Sequence, residues 1–314
     1  MKVSVVGAGV VGLTSALRLA EAGHQVEVVA AEWGESTTSS VAAALWYPYR
    51  ATATAQVSRW LARTYAALEE IAADPSTGVR LRRGRELFRE PTPDPWWRAA
   101  VPDLDRISED QLPPGYLDGY QLTVPVVDMA LHLGWLAARV GEAGVGIETR
   151  RLRGLPAAFA GVDAVVNCAG LGARELAGDD TLTGVRGQII VVEQFGLTDW
   201  LLDQNDPDRL TYIVPRSDTV ILGGTSEEGD EQLEVRPATT EAILARCSTL
   251  IPEVAEARIV GHRVGLRPAR PTVRLETEIS RNGPVIHCYG HGGAGVTLSY
   301  GCAEEVVERV AQLR

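Results

Sequence analysis

Runs of apolar residues at the start of the chain predict a strand, a helix and a second strand. Residues 3–6 have the pattern of an apolar strand and residues 25–29 that of a second strand, and residues 11–22 between them have the apolar spacing of a helix. Gly23 follows at the position where the end of a helix favours glycine. The pattern therefore predicts a βαβ unit, in which the two strands are parallel.

Further along the chain, residues 57–72 and 128–143 have the amphipathic spacing of helices, and a short strand is predicted near Ile147. Residues 163–170 form an apolar run that ends in glycine, which is typical of a parallel strand buried on both faces. Such a strand returns the chain to the sheet that the first unit begins.

The second half of the chain has a different pattern. Strand-like segments at residues 187–193, 210–215, 219–224 and 259–267 are separated by turn residues and not by regular helices. This favours a mainly antiparallel sheet. Residues 285–313 then contain one more strand, a glycine loop and a helix.

These elements predict an α/β fold with two parts. A discontinuous Rossmann-like dinucleotide-binding domain is joined to a substrate domain built on a mainly antiparallel sheet (α+β). A length of 314 residues suits two joined domains. We place the first domain at residues 1–50, 118–185 and 268–314, and the second at residues 51–117 and 186–267.

Charge and composition exclude several classes of partner. The formal net charge of −11 repels nucleic acid and anionic lipid. The sequence has neither a run of about twenty apolar residues nor a signal-peptide pattern. We therefore expect a cytoplasmic protein that binds neither nucleic acid nor membrane. An anionic ligand would have to be held by individually placed arginines.

The four cysteines do not predict a metal site. Cys168, Cys247, Cys288 and Cys302 lie far apart in the sequence and form no close pair. This spacing argues against zinc ligands and against a disulfide scaffold. We expect each cysteine to be a small buried hydrophobic residue.

Three glycines between the first strand and the first helix predict a dinucleotide site. Gly7, Gly9 and Gly12 allow a tight turn and let the backbone at the helix N-terminus approach a pyrophosphate. Glu32 lies twenty residues beyond Gly12 and is the candidate to bind the adenosine ribose, although a solvated loop charge explains it equally well. The motif does not distinguish FAD from NAD.

Two further segments favour a bound flavin over a nicotinamide. Thr37, Thr38 and Ser39 offer hydroxyl groups to phosphates, and the small residues at 41–44 leave room for a flat ring. Residues 291–297 place a second glycine loop at a helix start, where N–H groups and the helix dipole suit an electron-rich ring. Tight packing of a strand against a helix is the alternative explanation for that loop.

Arg267 is the candidate to bind a carboxylate. Pro268 and Pro271 are expected to fix the end of its strand, and a rigidly held guanidinium can donate two parallel hydrogen bonds. Surface charge is the more ordinary explanation for an arginine. Taken alone, Tyr212 is more safely interpreted as a core tyrosine, and the backbone of His291 is expected to matter more than its imidazole.

An ordered set of motifs spans nearly the whole chain. It comprises the first glycine turn and then VAAALWYPY (residues 41–49), VNCAG (166–170), RGQ (186–188), YIVP (212–215), LGGT (222–225), GLRPARP (265–271) and YGHGGAG (289–295). In this order, the motifs resemble those of the D-amino acid oxidase family. The resemblance implies that the first domain binds FAD.

The resemblance also implies a role for individual residues. Arg267 and Tyr212 would hold the substrate carboxylate, and the backbone carbonyl of Gly293 would accept the substrate amine. The candidate cofactor contacts, with Glu32 added from the glycine motif, are Gly7, Gly9, Gly12, Glu32, Thr37, Thr38, Ser39, Ala43, Ala44, Leu45, Leu152, Gly187, Gly292, Gly293, Ala294, Gly295, Val296 and Thr297.

The implied reaction is the oxidative deamination of D-amino acids, with neutral side chains favoured. Hydride would leave Cα for FAD and oxygen would take up the electrons, giving a 2-oxo acid, ammonia and hydrogen peroxide. The alternatives are a glycine or sarcosine-type amine oxidase, an NAD-dependent reductase, and a flavin-binding protein without oxidase activity. A D-aspartate oxidase is a further alternative, because Arg209 and Arg216 flank Tyr212.

The sequence departs from some family members in one segment. Residues 201–211 are short and polar and contain no second active-site tyrosine, which leaves open whether they act as a lid over the substrate. Besides the D-amino acid and oxygen, a second copy of the chain is a candidate partner, with which it would form a homodimer.

Overall fold

The computed structural model describes residues 1–206 and 209–313, and the strands within them form one large sheet. The strands are β1 Lys2–Ala8, β2 Gln25–Trp33, β3 Val79–Phe88, β4 Asp105–Arg106, β5 Asp118–Val127, β6 Ile147–Thr149, β7 Ala164–Asn167, β8 Thr183–Glu193, β9 Trp200–Asp203, β10 Thr211–Pro215, β11 Thr219–Gly223, β12 Glu227–Glu228, β13 Ile259–Ser280 and β14 Gly283–His291. The helices are α1 Val10–Glu21, α2 Thr38–Val41, α3 Ala55–Ile71, α4 Met129–Glu142, α5 Ala173–Leu176, α6 Pro237–Leu250 and α7 Gly295–Ala311.

One end of the sheet is parallel and confirms the predicted βαβ unit. Its strand order is β14-β7-β1-β2-β6, and each neighbouring pair is parallel. Beside this part of the sheet, helix α1 contacts both α4 and α7. The apolar residues of the three helices belong to the main hydrophobic core. Gly23 ends α1 with φ of +83°, a conformation that glycine adopts without steric cost.

The other end of the sheet is mainly antiparallel, as predicted, with the order β4-β5-β3-β9-β10-β11-β8-β13. Among the described strands of this part, the β3–β9 pair alone is parallel. The 22-residue strand β13 connects the two ends, because it pairs with β8 up to Ala269 and with β14 beyond it.

This long strand corrects the prediction for Arg267. The prolines do not end a strand after it, since β13 continues to Ser280. The ladder to β14 instead shifts its register between Ala269 and Arg274, and Pro271 lies within this irregular stretch, where a missing N–H group is tolerated. Pro268 is paired with Gly184 of β8. Arg267 is therefore fixed inside a strand, near the point where that strand changes partner.

Helix α6, which the sequence pattern did not predict, determines which face of the antiparallel sheet stays open. Its buried residues Ile243 and Cys247 pack with Ile190, Ile213 and Leu222 of the sheet. Since side chains alternate between the two faces of a strand, the neighbouring residues face the opposite side. That side carries the cavity described below.

Among the residues that the structure describes, no helix is long and apolar enough to cross a membrane.

Candidate active site

A cavity of ≈ 700 Å³ lies between the two parts of the sheet. It is lined by the turn that begins α1, by the loop that begins α7, and by residues on the open face of β8, β9, β10 and β13. Most of the predicted site residues line it: Gly7, Gly9, Glu32, Thr37, Thr38, Ser39, Ala43, Ala44, Leu45, Leu152, Gly187, Tyr212, Arg267, Gly292, Gly293, Gly295 and Val296.

The first glycine turn is shaped by close packing. Gly7 has φ of +109°, and a Cβ atom on it would lie 2.4 Å from the carbonyl oxygen of Cys168. A Cβ atom on Gly12 would lie 1.9 Å from the carbonyl oxygen of Gly7, and Gly12 does not line the cavity. Gly12 therefore acts by letting the helix approach the turn, while Gly7 and Gly9 line the cavity.

The N-terminus of α1 faces a hydroxyl group. The backbone N–H of Val10 donates to Oγ of Ser39, 3.0 Å away, and both residues line the cavity. The other N–H groups of a first helical turn lack partners within the helix and carry the positive end of its dipole. This part of the cavity suits a phosphate.

At the end of β2 the cavity is lined by Glu32 together with Arg150, Arg151 and Leu152. Glu32 is exposed, and the structure places it beside the cavity as the motif spacing predicts. A carboxylate here can accept hydrogen bonds from a ribose.

The loop that begins α7 brings bare backbone to the opposite end of the cavity. A Cβ atom on Gly293 would lie 2.4 Å from the ring of Tyr49, so that a side chain would not fit. Ala294 and Thr297 do not line the cavity, unlike their neighbours. Oγ1 of Thr297 instead donates to the carbonyl of Tyr47 at 2.9 Å and accepts from its N–H at 3.2 Å, which attaches the helix to the aromatic segment.

His291 serves this loop mainly through its backbone. Its carbonyl accepts from the N–H of Ala294 at 2.9 Å, and the side chain is buried. Burial lowers the pKa of His291 to about 4, so that the imidazole is neutral at physiological pH. A neutral, buried ring is poorly suited to donate a proton in a reaction.

Arg267 is held at the cavity by three neighbours. Nη1 donates to the carbonyl of Thr225 at 2.9 Å, and Cζ lies 5.6 Å from the ring centroid of Tyr49. The guanidinium occupies the space that a side chain at position 187 would fill, since a Cβ atom on Gly187 would lie 2.5 Å from Nη1. These contacts leave a cation with free N–H donors beside the cavity.

Tyr212 lies next to Arg267 and needs two glycines to fit. Cβ atoms on Gly223 and Gly224 would lie 1.9 Å and 2.6 Å from atoms of its ring and hydroxyl. Burial raises the pKa of Tyr212 although the positive charge of Arg267 lowers it, so the hydroxyl stays protonated and can donate. The two side chains together form a donor pair for an anionic group.

Sequence reasoning assigned no role to four further residues at the cavity. Tyr49 packs on Arg267 and donates its hydroxyl to Oγ of Ser226 at 2.9 Å. Tyr47 and Gln204 line the cavity and both bond to the buried Glu86. The aromatic residues of the WYPY motif could have indicated Tyr47 and Tyr49 as site residues. Nothing in the sequence indicated Glu86.

The arginines considered for an acidic substrate are used elsewhere. Nε and Nη2 of Arg216 donate to the carbonyls of Ala43 and Ala42 at 2.9 and 2.7 Å, and Nη1 lies 3.6 Å from Asp128. Arg209 is exposed. Neither arginine is among the described residues that line the cavity. The segment 201–211 includes residues 207 and 208, which lie outside the described residues, so its function as a lid stays open.

The cysteines are free and buried, as predicted, but their separation in sequence was misleading. Ligand atoms of Cys288, His291 and Cys302 lie within 4.8 Å of one another, and the thiols of Cys168 and Cys288 are hydrogen-bonded to each other. The hydrogen bond to Cys168 lowers the pKa of Cys288. The hydrogen bond to Cys302 and burial raise it, so that the pKa lies well above its usual value. The Cys288 thiol therefore stays protonated at physiological pH.

The cavity fits an extended dinucleotide with a flat ring system. Two helix N-termini open onto it, at Gly9 and at Gly295, and the small residues 42–44 line it between them. A Cβ atom on Gly265 would lie 3.2 Å from Cβ of Val41, so these two segments approach each other closely. The pyrophosphate of such a group would lie at Gly7 and Gly9, and its ring would lie towards Gly292 and Arg267.

Comparisons with known proteins agree with this geometry. A family described as "FAD dependent oxidoreductase" matches residues 2–309. A D-amino-acid oxidase of Rubrobacter xylanophilus is 52% identical over 96% of this chain and 93% of its own length, and one of Streptomyces coelicolor is 44% identical over 97% and 95%. Human D-aspartate oxidase is 35% identical over 99% and 95%.

The fold has relatives among solved structures. Glycine oxidase from Geobacillus kaustophilus superposes with a TM-score of 0.83 over 98% of this chain and 94% of its own, at 20% sequence identity. That likeness supports the predicted fold class of a dinucleotide-binding part joined to a mainly antiparallel sheet. With a family match over nearly the whole chain, this protein belongs to the D-amino-acid-oxidase-type family of FAD-dependent oxidoreductases.

Proposed function

We propose that the protein catalyses the oxidative deamination of D-amino acids. The observation that carries the proposal is the pairing of Arg267 and Tyr212 in the same cavity as the bare backbone of Gly293. This arrangement offers donors for a carboxylate and a carbonyl for an ammonium or amine group. Its relatives named D-amino-acid oxidase support the same activity.

The chain's own residues bind and orient the substrate. The guanidinium of Arg267 and the hydroxyl of Tyr212 hold the carboxylate, and the carbonyl of Gly293 accepts a hydrogen bond from the amine. With the carboxylate and the amine held, and the side chain placed against Leu202 and Leu210, three of the four substituents of Cα have fixed positions, so that one enantiomer alone presents its hydrogen to the cofactor. Orientation of this kind contributes on the order of 7–11 kcal/mol to lowering a barrier.

When bound, FAD supplies the two-electron acceptor for the hydrogen at Cα, and we propose that oxygen takes up these electrons to give hydrogen peroxide. No side chain needs to act as a strong base at Cα, and His291 is a weak base because burial lowers its pKa to about 4. The residues in the cavity therefore act by positioning. Water completes the reaction by hydrolysing the imino acid to the 2-oxo acid and ammonia.

Two alternative functions are compatible with the same cavity. A glycine or sarcosine-type oxidase would accept an N-methylated amine, and a flavin-binding protein without oxidase activity would not react with amino acids. The donor pair at Arg267 and Tyr212 favours an amino acid substrate but does not by itself determine its amine substituent.

The deciding experiment is an anaerobic titration of the yellow holoprotein. We expect D-alanine to bleach the flavin absorption, and L-alanine and sarcosine to leave it unchanged. Admission of air should restore the colour and produce hydrogen peroxide. Bleaching by sarcosine in preference to D-alanine would favour the amine oxidase, and no bleaching by any amino acid would contradict the proposal.

We propose the two-domain division with one change from the sequence-based boundaries. Residues 118–127 form β5, which pairs with β3 and β4 in the antiparallel part of the sheet. The FAD-binding domain is then formed by residues 1–50, 128–185 and 268–314, and the substrate domain by residues 51–127 and 186–267. Limited proteolysis with and without FAD tests these boundaries.

We further propose a cytoplasmic location, which the free thiols support because a reducing compartment keeps cysteines unpaired. Cell fractionation tests it. The homodimer stays a prediction, for which light scattering on the purified holoprotein is the measurement.

A further inference from the structure

A buried carboxylate lies behind the wall of the cavity, next to the substrate-binding pair. Glu86 is 3% exposed and belongs to β3. It lies opposite Leu202 of β9, and Leu202 in turn lies opposite Tyr212 of β10. The open face of the sheet thus leads from Tyr212 across Leu202 to Glu86.

Two side chains connect Glu86 to the cavity. The hydroxyl of Tyr47 donates to Oε1 of Glu86 at 2.7 Å, and Nε2 of Gln204 donates to the same oxygen at 3.3 Å. Both Tyr47 and Gln204 line the cavity. A carboxylate only accepts hydrogen bonds, so it must draw one donor from each neighbour.

This network determines what the wall offers to a ligand. The lone pairs of the Tyr47 hydroxyl and Oε1 of Gln204 remain available as acceptors, together with one N–H of Gln204. Neither neighbour of Glu86 brings a positive charge. A ligand group that donates hydrogen bonds is complemented here, whereas a second carboxylate meets acceptors and a like charge.

The position of the network relative to Arg267 identifies the part of the substrate that reaches it. With the carboxylate at Arg267 and Tyr212 and the amine at Gly293, the remaining apolar wall at Leu202 and Leu210 is left for the side chain. Gln204 comes two residues after Leu202, and its hydrogen bond to Glu86 shows that its side chain belongs to this network. A side chain of three or more atoms extends past Leu202 towards Gln204 and Tyr47.

We propose that Tyr47, Gln204 and Glu86 form the polar end of the substrate's side-chain pocket and select amide and other donor-bearing D-amino acids against D-aspartate and D-glutamate. Tyr47 and Gln204 would contact the side chain, and Glu86 acts through them as a positioning residue. The inference rests on the proposed function and names its substrate class.

The test compares isosteric substrates at about pH 8.5, where a carboxylic acid with a pKa near neutrality is ionised. We expect kcat/KM for D-glutamine to exceed that for D-glutamate by about tenfold or more. Glu86→Gln keeps the shape of the side chain and removes its charge. It should narrow this ratio by about tenfold by raising the value for D-glutamate.

Two controls separate selection from a merely structural function. D-Alanine is too short to reach the network, so its kcat/KM in Glu86→Gln is the reference against which the changes for D-glutamine and D-glutamate are measured. Glu193→Gln makes the same change of net charge at an exposed position paired with Arg258, and should leave the ratio unchanged. A structural defect would instead lower turnover of all three substrates together.

A second variant covers the case in which Glu86→Gln does not fold. Gln204→Leu should lower kcat/KM for D-glutamine relative to D-leucine, because it replaces the polar contact with an apolar one. An unchanged ratio of D-glutamine to D-leucine would overturn the inference. So would a wild-type enzyme that prefers D-glutamate, or a Glu86→Gln enzyme with intact D-alanine turnover and an unchanged ratio.

Failure of the proposed function has a different outcome. In that case the wild-type holoprotein oxidises none of these substrates, D-alanine included. Binding can still be followed by the change in flavin absorption on anaerobic addition of D-glutamine or D-glutamate. Tighter binding of D-glutamine would support the side-chain pocket, and tighter binding of D-glutamate would overturn it.

Discussion

Gly187 on β8 and Arg267 on β13 are so close that a Cβ atom on residue 187 would lie 2.5 Å from Nη1 of the guanidinium. The absence of a side chain at one position thus determines where the cation of the other can lie. Because the two residues belong to neighbouring strands of one sheet, the register of that sheet places the guanidinium at the cavity.

Gly187→Ala should therefore displace Arg267 without removing it. We expect KM for D-alanine to rise about tenfold or more, since a shift of about 1 Å in a charged clamp weakens both of its hydrogen bonds. Gly134→Ala is the control, because a Cβ atom there meets nothing within 4 Å. Steady-state kinetics with equal KM values for both variants would contradict this relationship.

Arg267→Ala should raise KM for D-amino acids by about a hundredfold or more while FAD stays bound. The change removes the charged partner of the substrate carboxylate, and hydrogen bonds to charged groups contribute about 1.5–3 kcal/mol each. KM and the flavin content of the purified variant are the measurements. A variant that keeps ordinary affinity for D-alanine would show that another group binds the carboxylate.

Gly7→Ala should abolish FAD binding. The added Cβ would meet the carbonyl of Cys168 at 2.4 Å in a backbone with φ of +109°, so the turn has to move. Gly23→Ala has a similar positive φ of +83° but meets nothing within 4 Å. We expect that control to lose about 1 kcal/mol of stability and to purify yellow, whereas Gly7→Ala purifies colourless.

Arg216→Gln should weaken FAD binding by about tenfold and leave substrate choice unchanged. Arg216 holds the carbonyls of Ala42 and Ala43, which lie on the cavity wall, and a net hydrogen bond contributes about 1 kcal/mol. The dissociation constant of FAD measures the first effect, and the ratio of D-glutamine to D-glutamate turnover measures the second. A selective change in D-glutamate turnover would place Arg216 in the side-chain pocket after all.

Because of Glu86, the free energy of unfolding should decrease as pH rises. Burial raises the pKa of Glu86 from 4.5 to about 7, so the folded state favours the protonated form. The contribution of the protonated Glu86 to the free energy of unfolding, about 3 kcal/mol, is fully present below pH 4.5. It is lost as pH rises through about 7.

Glu86→Gln removes this dependence, because the amide does not titrate. Thermal unfolding midpoints of the variant and the wild type should therefore diverge between about pH 5 and pH 8.5, with the variant the more stable at the higher pH. Glu193→Gln, at an exposed position, should follow the wild type. Parallel midpoints for Glu86→Gln and the wild type would show that the carboxyl group is solvated.

Local patterns predicted most of the helices and strands, and α6 shows where they failed. Only Ile243 and Cys247 of that helix are buried, so its sequence lacks a wide apolar stripe. Its position depends on contacts with Ile190, Ile213 and Leu222, which lie on three strands far from it in the chain. Periodicity within one segment cannot report contacts made by others.

The sequence by itself determined the two glycine loops, the βαβ unit and the strand pattern, because glycine conformation and apolar periodicity are properties of a few neighbouring residues. Only the tertiary structure decided that Glu86 is buried, that Arg216 faces backbone carbonyls and that Cys168, Cys288 and Cys302 lie together. Those facts depend on the register and packing of strands from distant parts of the chain, which no single segment encodes.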